Sequence, residues 1–138
     1  MDQRVSLITL GVADTARSRA FYEKLGWKAA FENEEVVFFQ LNGIVLGLFR
    51  RDSFDLDMKR DNDGTGRIAL AYNVRDRSEV DPALDRAVSA GGSLLKRAEE
   101  APWGGYSGYF ADPDGHAWEV AHNPAWTIRA AGHVEMSA

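Results

Sequence analysis

Glu119 is a carboxylate in an unusual sequence context. It lies in an apolar run at residues 117–121, directly after the turn residues Asp-Pro-Asp-Gly at 112–115. Such a run is typical of a strand that follows a tight turn. Because side chains alternate along a strand, Glu119 shares its face with two alanines, and the opposite face carries Trp118 and Val120. An unpaired carboxylate on a small, apolar face is costly, so we expect Glu119 to meet a ligand, a metal or a cation.

Two roles for Glu119 stay open on the sequence alone. Arg67 lies two residues before Ala69 on the same predicted face of another strand, and a pair between Arg67 and Glu119 would be a structural ion pair. Without that partner, the carboxylate is available to bind a ligand or to act as a general acid or base. Catalysis usually requires a second positioned group. The sequence therefore favours a structural or binding role over a catalytic one.

Small side chains on one predicted face of several strands suggest a cavity. The small residues on this face are Gly11, Gly47, Ala69, Ala71, Ala117 and Ala121. Protein interiors are normally filled, so the face either accepts a ligand or is filled by aromatic residues. The aromatic residues available to fill it are Phe38, Phe39, Trp103, Tyr106 and Tyr109. The residues predicted to contact a ligand are Leu7, Thr9, Gly47, Phe49, Arg67, Ala69, Asn73, Trp103, Tyr106 and Glu119.

The loop Trp-Gly-Gly-Tyr at residues 103–106 is a second candidate for ligand contact. Two glycines allow the backbone to bend closely around a flat molecule, and Trp103 and Tyr106 offer stacking faces. The alternative is the entry of a hairpin that packs on a dimer interface. Trp126 either closes the same pocket or anchors the C-terminal tail.

The composition limits the classes of function. The chain has 138 residues, a formal net charge of -5 and no cysteine. Without cysteine it has no disulfide, no thiolate nucleophile and no thiolate metal ligand. The absence of a basic stripe argues against a nucleic-acid partner, and no apolar run is long enough to span a membrane. No basic and apolar leader opens the chain, so we expect a cytoplasmic protein.

The predicted elements occur in the same order twice. Strands are predicted at residues 5–12, 27–31, 36–41, 44–49, 67–74, 93–97, 105–111 and 117–121. A helix follows the first strand of each half. Asp14 caps the first helix and Gly26 ends it, and Ser78 or Asp81 caps the second. Asn42-Gly43 predicts a two-residue hairpin.

The repeat predicts an α+β fold made of two tandem βαβββ modules, whose curved sheets surround a cavity. Module 1 covers about residues 4–50, a polar linker with one helical turn near Phe54 covers residues 51–66, and module 2 covers residues 67–124. Residues 125–138 form a weakly patterned tail. The whole chain is expected to be a single domain of this kind.

Three short motifs occur along the chain: LGVAD at residues 10–14, RAFYEKLGW at 19–27, and DPDGH with WEV at 112–120. In this order they resemble the vicinal oxygen chelate superfamily, which includes glyoxalase I, bleomycin-resistance proteins, fosfomycin-resistance enzymes and extradiol dioxygenases. The resemblance covers about residues 5–124. It implies the fold predicted above, and it implies a homodimer, since a homodimer forms the binding clefts of the bleomycin-resistance branch.

Enzymes of that superfamily hold a divalent metal through one side chain from each of four strands. The resemblance carries these positions to Leu7, Gly47, Ala69 and Glu119, of which only Glu119 can bind a metal. Of the histidines, His116 is expected at the surface of its turn and His122 on the face opposite Glu119. We therefore predict no metal site and no cofactor.

Several functions remain open. The favoured one is a binder that holds a small aromatic or amphipathic molecule without a metal, as the bleomycin-resistance branch does. The main alternative is a metal-independent lyase or isomerase in which Glu119 acts as the acid or base. A metal-dependent glyoxalase-like enzyme is disfavoured, and a structural or regulatory module with a filled cavity is not excluded by any residue.

Overall fold

The protein consists of two compact units, residues 1–66 and 67–138. The computed structural model describes Met1 and residues 3–59 and 68–136. Unit 1 contains β1 (Leu7–Val12), α1 (Thr15–Lys24), β2 (Ala29–Glu32), β3 (Val36–Gln40), β4 (Val45–Arg50) and α2 (Arg51–Met58). Unit 2 contains β5 (Ala69–Asn73), α3 (Val80–Ser89), β6 (Ser93–Glu100), β7 (Tyr106–Ala111), β8 (Ala117–His122), β9 (Thr127–Ile128) and β10 (Val134–Glu135).

The sheet of unit 1 has the strand order β1-β4-β3-β2, and β1 runs parallel to β4. Helix α1 packs against β3 and β4, which buries Leu46, Leu48 and Phe39 beneath Phe21 and Tyr22. Full burial of side chains of this size stabilises the fold by about 1.5–3 kcal/mol each. One face of the sheet is thus the core of unit 1.

The signals at the ends of α1 are confirmed. The Asp14 carboxylate accepts a hydrogen bond from the Arg17 amide at 3.1 Å, which satisfies one free amide of the first turn. Gly26 has a φ of 105° just beyond the helix, a conformation that favours glycine. The predicted hairpin is also confirmed, because the Leu41 amide donates to the Ile44 carbonyl at 2.9 Å across Asn42-Gly43.

Unit 2 repeats the plan with the strand order β5-β8-β7-β6 and a parallel pair β5–β8. Helix α3 buries Val80, Leu84 and Ala87 against strands β6, β7 and β8. On the sheet side of this core, Phe110 and Trp118 stack with ring centroids 6.1 Å apart. The predicted α+β fold with two βαβββ modules is confirmed.

Two local predictions were wrong. The cap before α3 is Asp76, not Ser78 or Asp81: Asp76 and Glu79 form a reciprocal capping box around a 3₁₀ turn at Arg77–Glu79 that leads into α3. In addition, the predicted linker was expected to contain only one helical turn, but residues 51–58 are helical throughout. They form the two-turn helix α2, which follows β4 directly and ends at Lys59 with a φ of 54°.

The C-terminal tail is more ordered than its weak pattern suggests. Strands β9 and β10 form a small antiparallel hairpin in which Ile128 pairs with Val134, and Arg129 and Glu135 form an ion pair across it. In the described part of the chain, no helix combines the length and the apolar character needed to cross a membrane.

Candidate ligand site

Glu119 lies in the middle of a row of four residues that crosses the sheet of unit 2. In this row Ala71 of β5 pairs with Glu119 of β8, Glu119 pairs with Tyr109 of β7, and Tyr109 pairs with Lys96 of β6. Directly paired residues point to the same face of a sheet. The face that carries this row, opposite α3, is called the Glu119 face below.

Tyr109 of β7 lies directly opposite Glu119 of β8, and this carboxylate affects the pKa of the Tyr109 hydroxyl. Partial burial raises the pKa of Tyr109, and the negative charge of Glu119 and the hydrogen bond to it raise the pKa further. The positive charge of Lys96 acts in the opposite direction. Because a tyrosinate next to a carboxylate is unfavourable, the Tyr109 hydroxyl holds its proton more tightly and can donate it in a hydrogen bond to Glu119.

The predicted partner of Glu119 was Arg67, which lies outside the described residues, so that pair stays a prediction. The sequence interpretation missed Tyr109 as the partner of Glu119 and treated it only as a ring that could fill a cavity. The signal in the hairpin was only partial: the pair that closes the turn is Asp112 with His116, whose amide and carbonyl are joined at 2.9 Å, and only counting outward from this pair places Tyr109 opposite Glu119.

The neighbours of Glu119 on β5 are small. Ala69 and Ala71 are exposed, and Asn73 is half-buried. Ala69 pairs with Ala117, and Asn73 pairs with Ala121. The structure therefore brings three of the predicted contact residues of unit 2, Ala69, Asn73 and Glu119, onto one face.

In unit 1 the corresponding row is Thr9 of β1, Gly47 of β4 and Phe38 of β3. The Phe38 ring lies over Gly47, where a Cβ atom would stand 2.9 Å from Phe38 Cε1 and 3.5 Å from Leu7 Cδ1. Phe31 stacks on Phe38 with ring centroids 5.9 Å apart. The space above Gly47 is therefore aromatic and aliphatic.

Phe49 belongs to the same face of unit 1 and is covered by helix α2. Its ring stacks on Phe54 with centroids 5.3 Å apart and an interplanar angle of 20°. The structure thus brings the predicted contact residues Leu7, Thr9, Gly47 and Phe49 onto one face, which we call the Gly47 face. This face is aromatic rather than small, because Phe38, Phe31 and Phe54 lie against it.

Only some of the aromatic residues that could have filled the predicted cavity lie on the Gly47 face or the Glu119 face. Phe38 lies on the Gly47 face and Tyr109 on the Glu119 face. Phe39 is buried on the helix side of unit 1, where it meets Tyr22 at a centroid distance of 5.8 Å. Tyr106 lies on the α3 side of its sheet, and Trp103 lies on Gly105.

In the Trp-Gly-Gly-Tyr loop, the two aromatic rings already contact other residues of the protein. Tyr106 pairs with His122, on the face opposite Glu119, and its hydroxyl donates to the Asp81 carboxylate at 2.8 Å. The Arg77 guanidinium lies 4.0 Å from the Tyr106 ring centroid. The Trp103 ring lies against Gly105, where no side chain would fit. Stacking of a ligand by Trp103 and Tyr106 stays a prediction.

His116 is not the surface turn residue that the sequence predicted. It is 9% exposed, and its Nδ1 lies 2.8 Å from Asp112 Oδ2. The other carboxylate oxygen of Asp112 accepts hydrogen bonds from the amides of His116 at 2.9 Å and Asp114 at 3.0 Å. The pair fixes the turn between β7 and β8 and hence the register that joins Tyr109 to Glu119.

The residues at the family's four metal positions do not fit a metal ion. Leu7, Gly47 and Ala69 carry no donor atom, and Phe38 and Leu7 fill the space over Gly47. Glu119 is a single carboxylate, whereas a stable site needs several donors. Within the described ranges, no group of three or more His, Cys, Asp or Glu side chains is arranged to hold a metal.

Comparisons with known proteins agree with the fold. A glyoxalase-related enzyme from Fulvimarina pelagi is 46% identical, with a TM-score of 0.94 over 99% of both chains. Two proteins named metallothiol transferase FosB are more distant. The Shouchella clausii protein is 29% identical over 97% of this chain and 88% of its own length, and the Lysinibacillus sphaericus protein is 27% identical over 85% and 80%.

The sequence profile of one superfamily matches residues 4–120, which include module 1 and all of module 2 up to the middle of β8. The same span contains the three motifs noted above, the Gly47 face and the Glu119 face. The chain belongs to the glyoxalase/bleomycin resistance protein/dioxygenase superfamily.

Proposed function

We propose that this protein binds a small aromatic or amphipathic molecule without a metal ion of its own. The observation that supports the proposal most strongly is the Phe38 ring over Gly47. At a position where metal-dependent relatives place a ligand atom, this chain places an aromatic surface. Ligand sites are typically apolar with a few placed polar groups. The Gly47 face of unit 1 carries Thr9 as such a group, and the Glu119 face of unit 2 carries Asn73 and Glu119.

A panel of small molecules tests this function. The panel contains neutral and charged aromatic compounds, and binding is measured by calorimetry and by the shift in melting temperature, with and without EDTA. We expect saturable binding and a raised melting temperature for some members, unchanged by EDTA. Absence of binding across the panel would contradict the proposal, and binding that EDTA abolishes would support a metal-dependent site instead.

The second candidate is a metal-independent lyase or isomerase in which Glu119 is the acid or base. The specific observation in its favour is Tyr109, whose hydroxyl supplies the second positioned group beside Glu119. The relative from Fulvimarina pelagi is itself described as an enzyme. In this reaction Glu119 would take a proton from carbon next to a carbonyl group, and Tyr109 would hold the carboxylate in place.

Exchange of carbon-bound hydrogen for deuterium tests the enzymatic alternative. Dihydroxyacetone is incubated with the protein in deuterated buffer containing EDTA, and the exchange is followed by NMR. Exchange that is fast in the wild-type protein and lost in Glu119→Gln would support the enzyme. Equal rates in both proteins and in buffer would exclude this reaction for the probe.

A metal-dependent transferase, which the names of the two FosB relatives suggest, is disfavoured because Leu7, Gly47 and Ala69 supply no donor atoms. Our proposal includes a cytoplasmic homodimer. Sedimentation equilibrium of the purified protein tests the dimer, and a mass of one chain at all concentrations would contradict it.

A further inference from the structure

We propose that Glu119, held by Tyr109, is a recognition site for a planar cationic N–H donor, an amidinium or guanidinium group, on an aromatic ligand. This inference rests on the proposed function, because it names the chemical class of the ligand. Three features of unit 2 lead to it: the charge of Glu119, the remaining acceptor capacity of its carboxylate, and the open space beside it.

The charge of Glu119 has no cationic partner in the described part of the chain. No lysine or arginine of residues 3–59 and 68–136 lies within ion-pair distance of its carboxylate. The basic residue in its row, Lys96, directs its Nζ to Glu99 Oε1 at 3.0 Å. Among the described residues this half-buried carboxylate is thus left without a cation, which is a costly arrangement, and a bound cation would remove that cost.

The carboxylate retains acceptor capacity on both oxygens. An ionised carboxylate offers about four lone-pair sites, and a hydrogen bond from the Tyr109 hydroxyl would use only one of them. Tyr109 lies directly opposite Glu119 on β7, where a hydrogen bond from its hydroxyl would hold the carboxylate plane from one side. A planar amidinium or guanidinium matches such a fixed carboxylate with two parallel hydrogen bonds, which a rotating ammonium group cannot do.

The opposite side of Glu119 is bordered by alanine. Ala71 pairs with Glu119 from β5, and Ala69 lies two residues earlier on the same face. Both alanines are exposed, and their methyl groups leave room beside the carboxylate. An aromatic ring attached to the cationic group can rest on these methyl groups, which combines an apolar surface with one charged anchor as in typical ligand sites.

Three matched ligands test the inference. Benzamidine is a planar cation with two parallel N–H donors, and benzylamine is a cation with a tetrahedral ammonium group. Benzamide is the neutral analogue of benzamidine. Their affinities for the full chain are measured by calorimetry in EDTA at an ionic strength of about 0.15 M, where distant surface charges are screened. We expect benzamidine to bind about tenfold more tightly than benzamide, as for a hydrogen bond to a charged group. Benzylamine should fall between them.

Two variants locate the site. Glu119→Gln should abolish the preference for benzamidine and leave benzamide binding within about twofold. In Tyr109→Phe, both cations should still bind more tightly than benzamide. The ratio of the benzamidine affinity to the benzylamine affinity should fall by about threefold, because the carboxylate plane is no longer held by a hydrogen bond. Circular dichroism and the melting temperature confirm that each variant is folded.

Glu34→Gln is the matched control, since it removes one carboxylate from an exposed position of unit 1. It should leave all three affinities unchanged. A preference for benzamidine that persists in Glu119→Gln, or its absence in the wild-type protein while benzamide or other aromatic compounds bind, would overturn the inference and leave the proposed function standing. No binding of any aromatic compound would overturn both.

Discussion

Phe38 and Gly47 form a ring-on-glycine contact that depends on the absence of a side chain at residue 47. A Cβ atom at Gly47 would lie 2.9 Å from Phe38 Cε1 and 3.1 Å from Phe38 Cδ1, closer than packed carbon atoms approach. The contact explains why glycine occurs at a buried position in the middle of β4, where glycine otherwise weakens a strand.

Gly47→Ala should destabilise the protein by about 1–3 kcal/mol, because the added methyl group pushes the Phe38 ring off the strand. The free energy of unfolding in urea measures the loss. In the Phe38→Leu background the same substitution should cost less, since a smaller side chain leaves space for the methyl group. Equal costs in both backgrounds would show that Phe38 does not lie over Gly47.

Asp112 should be one of the most sensitive polar residues of unit 2. Its buried carboxylate accepts two backbone hydrogen bonds and contacts His116 Nδ1. Asp112→Ala leaves these buried donors without an acceptor and should cost about 2–4 kcal/mol of unfolding free energy. Asp85→Asn, at an exposed position of α3, is the control and should have little effect. A loss below about 0.5 kcal/mol for Asp112→Ala, the range of ordinary surface substitutions, would contradict the structure.

The cap before α3 provides a direct comparison between sequence and structure. Asp76→Ala should cost about 1 kcal/mol, because it removes the side-chain acceptor of the capping box with Glu79. Ser78→Ala should cost much less, since Ser78 lies within the 3₁₀ turn rather than before it. Urea unfolding of both variants decides the point, and the reverse order of costs would restore Ser78 as the cap.

The sequence predicted the features that depend on local chemistry. Asp14 and Gly26 mark the ends of α1 because a cap acceptor and a positive φ are local requirements. The order of strands and helices along each module followed from the internal repeat. The 3₁₀ turn that separates Asp76 from the start of α3 was not predicted, since turn and helix have similar local preferences.

The contacts that the sequence did not predict depend on register between strands. The pairing of Tyr109 with Glu119 and the position of Phe38 over Gly47 join residues nine or ten positions apart. Each follows from a hairpin whose register is set by its turn. The burial of His116 was missed for a related reason: the turn folds its side chain back onto Asp112, and composition alone indicates only that turns are usually exposed.

Tyr109 should report the charge of Glu119 in solution. Burial and the neighbouring carboxylate raise the pKa of Tyr109 above its ordinary value of about 10. The folded protein therefore holds this proton more tightly than the unfolded chain. The contribution of Tyr109 to the free energy of unfolding is fully present below a pH of about 10, and it is lost as the pH rises through the raised pKa of the folded state. Alkaline unfolding should begin in this window.

Glu119→Gln removes the negative charge and keeps a hydrogen-bond acceptor, so it should lower the pKa of Tyr109. The measurement is the ultraviolet absorbance of tyrosinate during a pH titration, and the curve of Tyr109→Phe is subtracted to isolate this residue. Glu34→Gln, which removes an exposed carboxylate of unit 1, should leave the curve unchanged. If the Tyr109 curve is the same in Glu119→Gln and in the wild-type protein, the hydroxyl does not donate to Glu119, and the proposed positioning of that carboxylate falls with it.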